Sequence, residues 1–306
     1  MVERTEVLQT LGVMYFMPPF HDSVQVRSSL VLGIAEGRRA VSLNARDASA
    51  LEALGSVEYW FWLIVPLPRD SARAARTRAE EHLRGAVAAD PTRASAWSLL
   101  SALLYARADY IGAYLTADRA YRADAYLRSS ETILDELFIT SFEIGDGSAA
   151  VEWCDEINRR LGRGWLASYC RLRLLASNGS KDTSAIRRAW RIAIEANDPA
   201  SPGSAIPPQL QMRVATVIAR QELRDSAKAV MRDARARGDW DPELMLAQAE
   251  VWTGLGQADS ATAILVRYVA GRPSHRAGAV SSRTFAGIAQ LQKILTQMKI
   301  PKATRN

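Results

Sequence analysis

Residues 225–230 of the chain read DSAKAV, and residues 259–264 read DSATAI. The two segments begin 34 residues apart, at Asp225 and Asp259. A short polar residue followed by alanine is typical of a helix start, where a side-chain oxygen can accept from the unpaired backbone N–H groups. The repetition therefore predicts two successive units of equal length, each with a helix that opens at the DSA sequence.

The unit around the second copy predicts two helices joined by a turn. On each helix, apolar and small residues recur at spacings of three and four, and glycines separate the two runs. Pro273 follows the second helix and ends it, because proline lacks the backbone donor that a helix interior needs. The positions are Met245, Ala249 and Trp252 on the first helix, Gly254 and Gly256 in the turn, and Ala261, Leu265 and Tyr268 on the second.

This arrangement resembles the tetratricopeptide repeat family, in which each unit is one helix-turn-helix with small residues where its two helices approach. The small positions recur one unit earlier at Ala215 and Ala227, and Asp90 and Asp124 are again 34 residues apart. The resemblance extends over residues 26–273. It implies an all-α fold, an α-solenoid in which antiparallel helix pairs form a right-handed superhelix. The degenerate repeats are also similar to the repeat regions of bacterial signalling and regulatory proteins.

Proline content predicts where the array is divided. Residues 199–208 contain four prolines, which indicates a linker. We therefore expect an N-terminal TPR-like subarray over residues 1–198 and C-terminal TPR-like repeats over residues 209–306. The last helix, with an apolar stripe at Phe285, Ile288, Leu291, Leu295 and Met298, is expected to cap the array with a polar outer face.

Composition favours a folded helical chain without a membrane span. Of the 306 residues 48% are hydrophobic, and the formal net charge is +6. The longest apolar run, residues 59–67, has nine residues including a proline, whereas a bilayer span needs roughly 20. The first residues lack the pattern of a secretory signal. We expect a cytoplasmic protein, in which Cys154 is a buried core thiol and the two cysteines form no disulfide framework or metal site.

The sequence carries no recognisable catalytic or cofactor motif. The three histidines, His21, His82 and His275, do not form a metal-binding pair, and no phosphate-binding loop is present. We therefore expect no enzymatic activity, no metal and no cofactor. The single carboxylate worth considering for an all-helical solenoid enzyme is Glu58, beside the aromatic residues 59–62, which are interpreted as core or as an interaction patch.

The positive prediction is a scaffold that binds a protein or peptide partner in a groove lined by the first helices of the units. An RNA-binding helical array is the alternative, and it requires the basic residues between Arg213 and Arg237 to face one groove. Acidic residues interrupt this basic run, which argues against nucleic acid as the partner.

Chaperone-adaptor members of the family bind a C-terminal carboxylate with Lys and Asn, but the corresponding residues here are Ala102, Thr216 and Glu250. Oligomeric state has no sequence signal. The predicted groove residues are Tyr105, Tyr169, Arg173, Met212, Arg220 and Glu250.

Overall fold

The described part of the structure, a computed structural model, is built of α-helices. The structure describes residues 23–65, 67–124, 130–162, 164–177, 182–196, 205–238, 242–271 and 276–288, and residues 291, 293 and 294. Within those residues the chain forms fourteen α-helices, one short 3-10 helix and no strand, which confirms the predicted all-α class. Helices α1 to α14 span Ser23–Leu43, Ala48–Ile64, Arg69–Ala89, Ala94–Ala106, Tyr110–Ala123, Ser130–Ile144, Gly147–Leu161, Trp165–Ser177, Ser184–Glu195, Pro208–Arg220, Arg224–Arg237, Pro242–Gly254, Ala258–Gly271 and Arg276–Ser281, and the 3-10 helix spans Arg283–Phe285.

Consecutive helices pack side by side, as the repeat pattern predicts. Extensive contacts join α2 with α3, α4 with α5, α10 with α11 and α12 with α13. The first helices of neighbouring units also meet, since α10 contacts both α8 and α12. Within the C-terminal unit the helix pairs that contain α8, α10 and α12 therefore pack on one another, which is the arrangement of a tetratricopeptide-like α-solenoid.

Contacts divide the described residues into two compact units. The N-terminal unit ends at Glu136, and the C-terminal unit begins at Leu137, so the division falls within α6. The sequence predicts a division elsewhere, at the proline-rich residues 199–208. Residues 199–204 lie outside the described residues, and the two subarrays expected on either side of them stay a prediction.

One apolar core of the C-terminal unit includes residues from both sides of that proline-rich segment. Leu172 and Ala189 precede the segment, and Leu210 and Met231 follow it, yet all four belong to the same buried cluster. Helix α10 accordingly packs against α8 and α9. The first helix after the segment is therefore held by the helices before it.

Residues 70–72 repeat the DSA sequence a third time, and the aspartates of all three copies lie in the first helical turn and not at the N-cap. Asp70, Asp225 and Asp259 are each the second residue of α3, α11 and α13, respectively. The residues at the N-caps of α3 and α11, Pro68 and Leu223, donate or accept no side-chain capping bond. The predicted capping role is therefore wrong for these two helices. The carboxylates instead lie at the positive end of the helix dipole.

The turn of the repeat keeps its geometry where its glycine is lost. Gly256 follows α12 with a positive φ of 70°, and Glu222, 34 residues earlier, has a φ of 62°. The N–H group of each donates to the carbonyl three residues before it, Thr253 and Ala219, at 3.0 Å. A side chain in this left-handed region costs roughly 1–2 kcal/mol. Packing of the two helices therefore imposes the turn on Glu222.

The aromatic residues 59–62 belong to the core of the N-terminal unit. Tyr59 and Trp62 are buried, and Trp60 and Phe61 pack, partly buried, against the same cluster. These residues therefore do not form an exposed apolar patch. No helix in the described part of the chain has both the length and the apolar character needed to cross a bilayer.

Gly55 is needed where α2 crosses α3. A Cβ atom added at this glycine would lie 2.7 Å from Cγ of Leu83, whose side chain is fully buried. Substitution of glycine by alanine usually stabilises a helix by roughly 0.5–1 kcal/mol, but overpacking a core costs about 1–3 kcal/mol. We expect the steric effect to be larger here, because the backbone nitrogen of Leu83 also lies only 3.1 Å from the added Cβ.

We expect Gly55→Ala to lower the free energy of unfolding by about 1–2 kcal/mol, measured by urea titration followed by circular dichroism. Gly278→Ala is the control, because no atom lies within 4 Å of a Cβ built at that glycine. Equal stabilities for the wild type and Gly55→Ala would show that the crossing has room for a methyl group.

Cys154 and Cys170 form a disulfide between α7 and α8. Their Cα atoms are 5.7 Å apart, and both side chains are buried. The prediction that Cys154 is a free core thiol is therefore wrong, although its burial is as predicted. Two cysteines separated by 16 residues become neighbours because a helix, a short turn and a second helix return the chain to its starting level.

The residues that follow α13 cover the end of the last core cluster. Phe285, Ile288 and Leu291 are buried in the cluster that contains Leu265 and Ala261. This part of the predicted apolar stripe is confirmed, but its first residue lies in a 3-10 helix and not in a continuous α-helix. Leu295, Met298 and Pro273 lie outside the described residues.

Candidate functional site

A cavity of about 320 Å³ in the C-terminal unit is lined by three of the six predicted groove residues. The first helices α8, α10 and α12 contribute Arg173, Arg220 and Glu250, respectively, and the 3-10 helix contributes Arg283. These four are the charged residues of its lining, three cations and one anion. We call this space the arginine cavity.

Arg173 is held in place by a buried carboxylate. Its side chain is 8% exposed and that of Glu143 is 1% exposed, and Nη2 donates to Oε1 of Glu143 at 2.8 Å. Nη1 donates to the hydroxyl of Tyr169 at 2.8 Å, and the guanidinium lies 4.4 Å from the centre of the Phe142 ring. Glu143 also accepts from the backbone N–H of Arg283 at 2.9 Å. The pair therefore joins α6, α8 and the 3-10 helix.

A second buried ion pair holds the acidic residue of the cavity. Glu250 of α12 pairs with Arg213 of α10, and both side chains are almost completely buried. The Arg213 guanidinium lies 5.1 Å from the centre of the Tyr169 ring, so it also packs on α8. The charge of Glu250 is therefore offset within the protein.

The two remaining cations, Arg220 and Arg283, have no such partner. Neither side chain forms an ion pair with an Asp or Glu among the described residues, and both residues are exposed. Gly145 permits the position of Arg283, because a Cβ at this residue would lie 2.9 Å from Nη1 of the guanidinium. Its φ of 90° is also unfavourable for other residues. Among the described residues, therefore, nothing compensates the net positive charge of the arginine cavity.

The start of α7 forms one edge of the cavity through Gly147. The preceding residue, Asp146, caps the helix by accepting from the N–H of Ala149 at 3.0 Å and from the Ser148 hydroxyl at 2.8 Å. These hydrogen bonds, the Ala149 bond foremost, hold the pKa of the Asp146 carboxyl below its usual range. The capped turn fixes the backbone at this edge.

The other predicted groove residues are placed differently. Tyr169 supports Arg173 and stacks on Trp165, with ring centres 5.0 Å apart. Tyr105 belongs to the N-terminal unit, where its ring lies 5.3 Å from that of Tyr110. Met212 is 0% exposed within the apolar core, so its prediction as a groove residue is wrong. Every residue from Leu210 to Ala219 is buried, so neighbouring helices cover α10 on all sides and Met212 packs in the core.

Sequence reasoning missed Glu143, Phe142 and Arg283. Glu143 lies near the end of α6, and Arg283 follows it by 140 residues, so no local pattern links the two. The one sequence signal nearby is Gly145, which ends α6 in a left-handed conformation. Arg213 was interpreted as one residue of a basic helix surface, whereas it is buried.

Glu58, the carboxylate considered for an enzyme, is buried and paired with basic side chains. It is 0% exposed, and its oxygens accept from Arg78 Nε at 3.2 Å and from His82 Nδ1 at 2.7 Å. Glu58 lines neither the arginine cavity nor the larger cavity described below. In the described part of the chain, no cluster of His, Cys, Asp or Glu suited to a metal ion is found.

The basic residues between 213 and 237 do not share one surface. Arg213 is buried against Glu250, and Arg220 lines the arginine cavity. Arg237 pairs with Asp233 at 3.5 Å and donates to the carbonyl of Ile206 at 2.9 Å. Because phosphate binding needs uncompensated charge along one face, this distribution gives no support to the RNA-binding alternative.

Solved structures with a similar fold consist of helical repeats. No protein-family model matches the sequence, and no curated protein matches it. The yeast Tom70 structure superposes with a TM-score of 0.51 at 12% identity, over 95% of this chain and 63% of that one. The Cut9-Hcn1 hetero-tetramer of the APC/C superposes with a TM-score of 0.52 at 12% identity, over 95% of this chain and 52% of that one.

The chain thus spans between half and two thirds of the length of these two structures. At 12% identity the likeness concerns the fold alone. The described helix pairs, the 34-residue period and the structural neighbours agree, and the chain is a tetratricopeptide-like helical-repeat protein in its fold.

Proposed function

We propose that the chain is a noncatalytic scaffold that binds a segment of a partner protein, and that the arginine cavity receives a carboxylate of that segment. The observation that carries the proposal is the pair Arg220 and Arg283, two exposed cations at one cavity without an acidic partner among the described residues. Arginine is well suited to this role because its planar group donates two parallel hydrogen bonds to a carboxylate.

The buried pairs support the proposal by making the cavity rigid. Arg173 with Glu143 and Arg213 with Glu250 join four helices and the 3-10 helix around the cavity, so little ordering is required on binding. A preformed site loses less conformational entropy when it binds. Phe142 and Leu174 add apolar surface to the lining beside the charged groups.

Peptide selection followed by charge reversal tests this proposal. Peptides are selected from a displayed random library on the wild-type chain, and their affinities are measured by fluorescence polarisation. We expect the selected peptides to contain Asp, Glu or a free C-terminal carboxylate. We also expect the double variant Arg220→Glu, Arg283→Glu to bind them at least about tenfold more weakly, because two charge-assisted hydrogen bonds become repulsive contacts.

The matched control is Arg232→Glu, which reverses the charge of an exposed residue of α11 that does not line the cavity. It should leave the affinity within about twofold, since exposed charges away from the contact contribute little. Peptides that bind the double variant as well as the wild type, or a selection without acidic peptides, would refute the carboxylate site.

A role in bacterial signalling is part of the same proposal and rests on the resemblance of the degenerate repeats to bacterial regulators. A kinase or regulator gene beside the gene for this chain would support it, and a set of unrelated neighbouring genes would count against it. The cytoplasmic location stays a prediction. The Cys154–Cys170 disulfide counts against it, because cytosolic thiols are normally kept reduced.

A further inference from the structure

We infer that the N-terminal unit carries a second docking surface, which binds an acidic segment of a partner protein through one large apolar side chain. The surface is a cavity of about 860 Å³ between the last turns of α3 and α5, above the first helix α4. We call it the arginine-rimmed groove. Its walls come from second helices of the repeat units, whereas the charged residues of the arginine cavity come mainly from first helices.

The floor of the groove is apolar and firmly held. Leu100, Leu104 and Val87 are buried side chains whose surfaces border the cavity. Trp97 is fixed by a hydrogen bond from its Nε1 to the carbonyl oxygen of Pro91 at 2.9 Å. A rigid apolar floor of this kind favours a large apolar side chain of a ligand, because such a group loses its contact with water without displacing protein atoms.

The rim of the groove is positively charged. Arg84, Arg119 and Arg122 line the cavity, and no Asp or Glu is among the lining residues. Arg119 lies 4.9 Å from the centre of the Trp97 ring and forms no ion pair with an acid of the described residues. Its guanidinium is therefore held at the edge of the apolar floor, where a carboxylate beside an apolar anchor would meet it.

The acids near the rim do not neutralise it. Arg84 pairs with Glu80 at 2.7 Å, but Glu80 also accepts from Arg107 at 2.9 Å. Arg122 pairs with Asp118 at 2.8 Å. Two carboxylates thus face four guanidinium groups once Arg119 is included, and the heads of Arg84 and Arg122 stay in solvent with 62% and 76% of their side chains exposed.

Charge complementarity and the apolar floor together select one kind of occupant. A nucleic acid would use the three arginines but would leave the aliphatic floor without a partner, and a neutral apolar peptide would leave the rim without one. A segment in which Asp or Glu residues flank a Trp, Phe or Leu satisfies both parts of the groove. Amphipathic segments commonly dock by placing apolar anchor residues in a hydrophobic groove.

The test isolates this surface from the arginine cavity. The bait is the full chain with Arg220→Glu and Arg283→Glu, so that binding at the arginine cavity is removed, and the probe is a displayed library of random peptides. We expect enrichment of peptides with a large apolar residue between acidic ones. Addition of Arg84→Glu and Arg119→Glu should weaken their binding at least about tenfold, and so should alanine at the apolar position of the peptide.

Arg73→Glu in the same bait is the matched control, because Arg73 is an exposed residue of α3 that does not line the groove. Circular dichroism verifies that all variants remain folded. No enrichment, peptides that bind the Arg84→Glu, Arg119→Glu bait unchanged, or binding of a single-stranded oligonucleotide in place of peptides would overturn the inference. None of these outcomes bears on the arginine cavity, which is already inactivated in the bait.

Discussion

Glu143→Ala is expected to lower the free energy of unfolding by about 3–5 kcal/mol, the largest loss among the substitutions considered. The substitution leaves the guanidinium of Arg173, which is 8% exposed, without its carboxylate 2.8 Å away. It also removes the acceptor for the backbone N–H of Arg283 and for the hydroxyl of Ser282. A buried charge without a partner costs far more than the intact pair contributes, because the lost solvation of the ion is no longer offset.

A double substitution separates the charge effect from the packing effect. Glu143→Leu combined with Arg173→Met keeps apolar volume at both positions and removes both charges. We expect it to recover most of the loss, since replacing a buried ion pair by well-packed apolar residues is often neutral. Urea unfolding followed by circular dichroism measures all variants, with exposed Glu152→Ala as the control in the same unit. A Glu143→Ala variant as stable as this control would contradict the role assigned to the pair.

Loss of the Cys154–Cys170 disulfide is expected to lower the free energy of unfolding by about 3 kcal/mol. The bond closes a loop between residues separated by 16 positions, so it removes extended conformations from the unfolded chain. The wild type should lose this stability in the presence of dithiothreitol. The Cys154→Ala, Cys170→Ala variant should have the lower stability from the start and should not respond to the reductant.

The redox state of the same two cysteines in cells indicates the compartment in which the chain resides. Cells are quenched with acid, and their protein is unfolded in denaturant with an alkylating reagent and examined by mass spectrometry, because both cysteines are buried in the folded chain. Neither residue should be modified if the disulfide forms where the chain resides. Modification of both residues in cells, with a stability that is the same with and without reductant in vitro, would mean that the bond does not form. The first result would place this part of the chain in an oxidising compartment, and the second would agree with the predicted cytoplasmic location.

The helix pairs could be predicted from the sequence because the interactions that form them are local. Apolar residues at spacings of three and four define the buried face of each helix, and Ala249 and Ala261 are fully buried where small residues were predicted. Gly256 marks a turn with a positive φ, and α12 ends two residues before it. Each of these features depends on residues within a single unit, so a 34-residue window contains the information.

The residues that line the arginine cavity could be predicted from the sequence only in part. Arg173, Arg220 and Glu250 were predicted as groove residues, since they lie one turn away from the apolar stripe of three first helices. The same argument failed for Met212, because α8, α9, α11 and α12 all pack on α10 and every residue from Leu210 to Ala219 is buried. A periodic pattern gives the direction of a helix face only to within the width of its stripe.

By itself the sequence determined the helices and their pairing within each unit. Only the tertiary structure decided that Glu143 meets Arg173 and Arg283, that Cys154 meets Cys170, and that Arg220 stays without an acidic partner among the described residues. The physical reason is the distance along the chain between the residues that interact. Helices and turns form from neighbours along the chain, whereas the partner of a charge or a thiol depends on how separate helices stack, which no local spacing encodes.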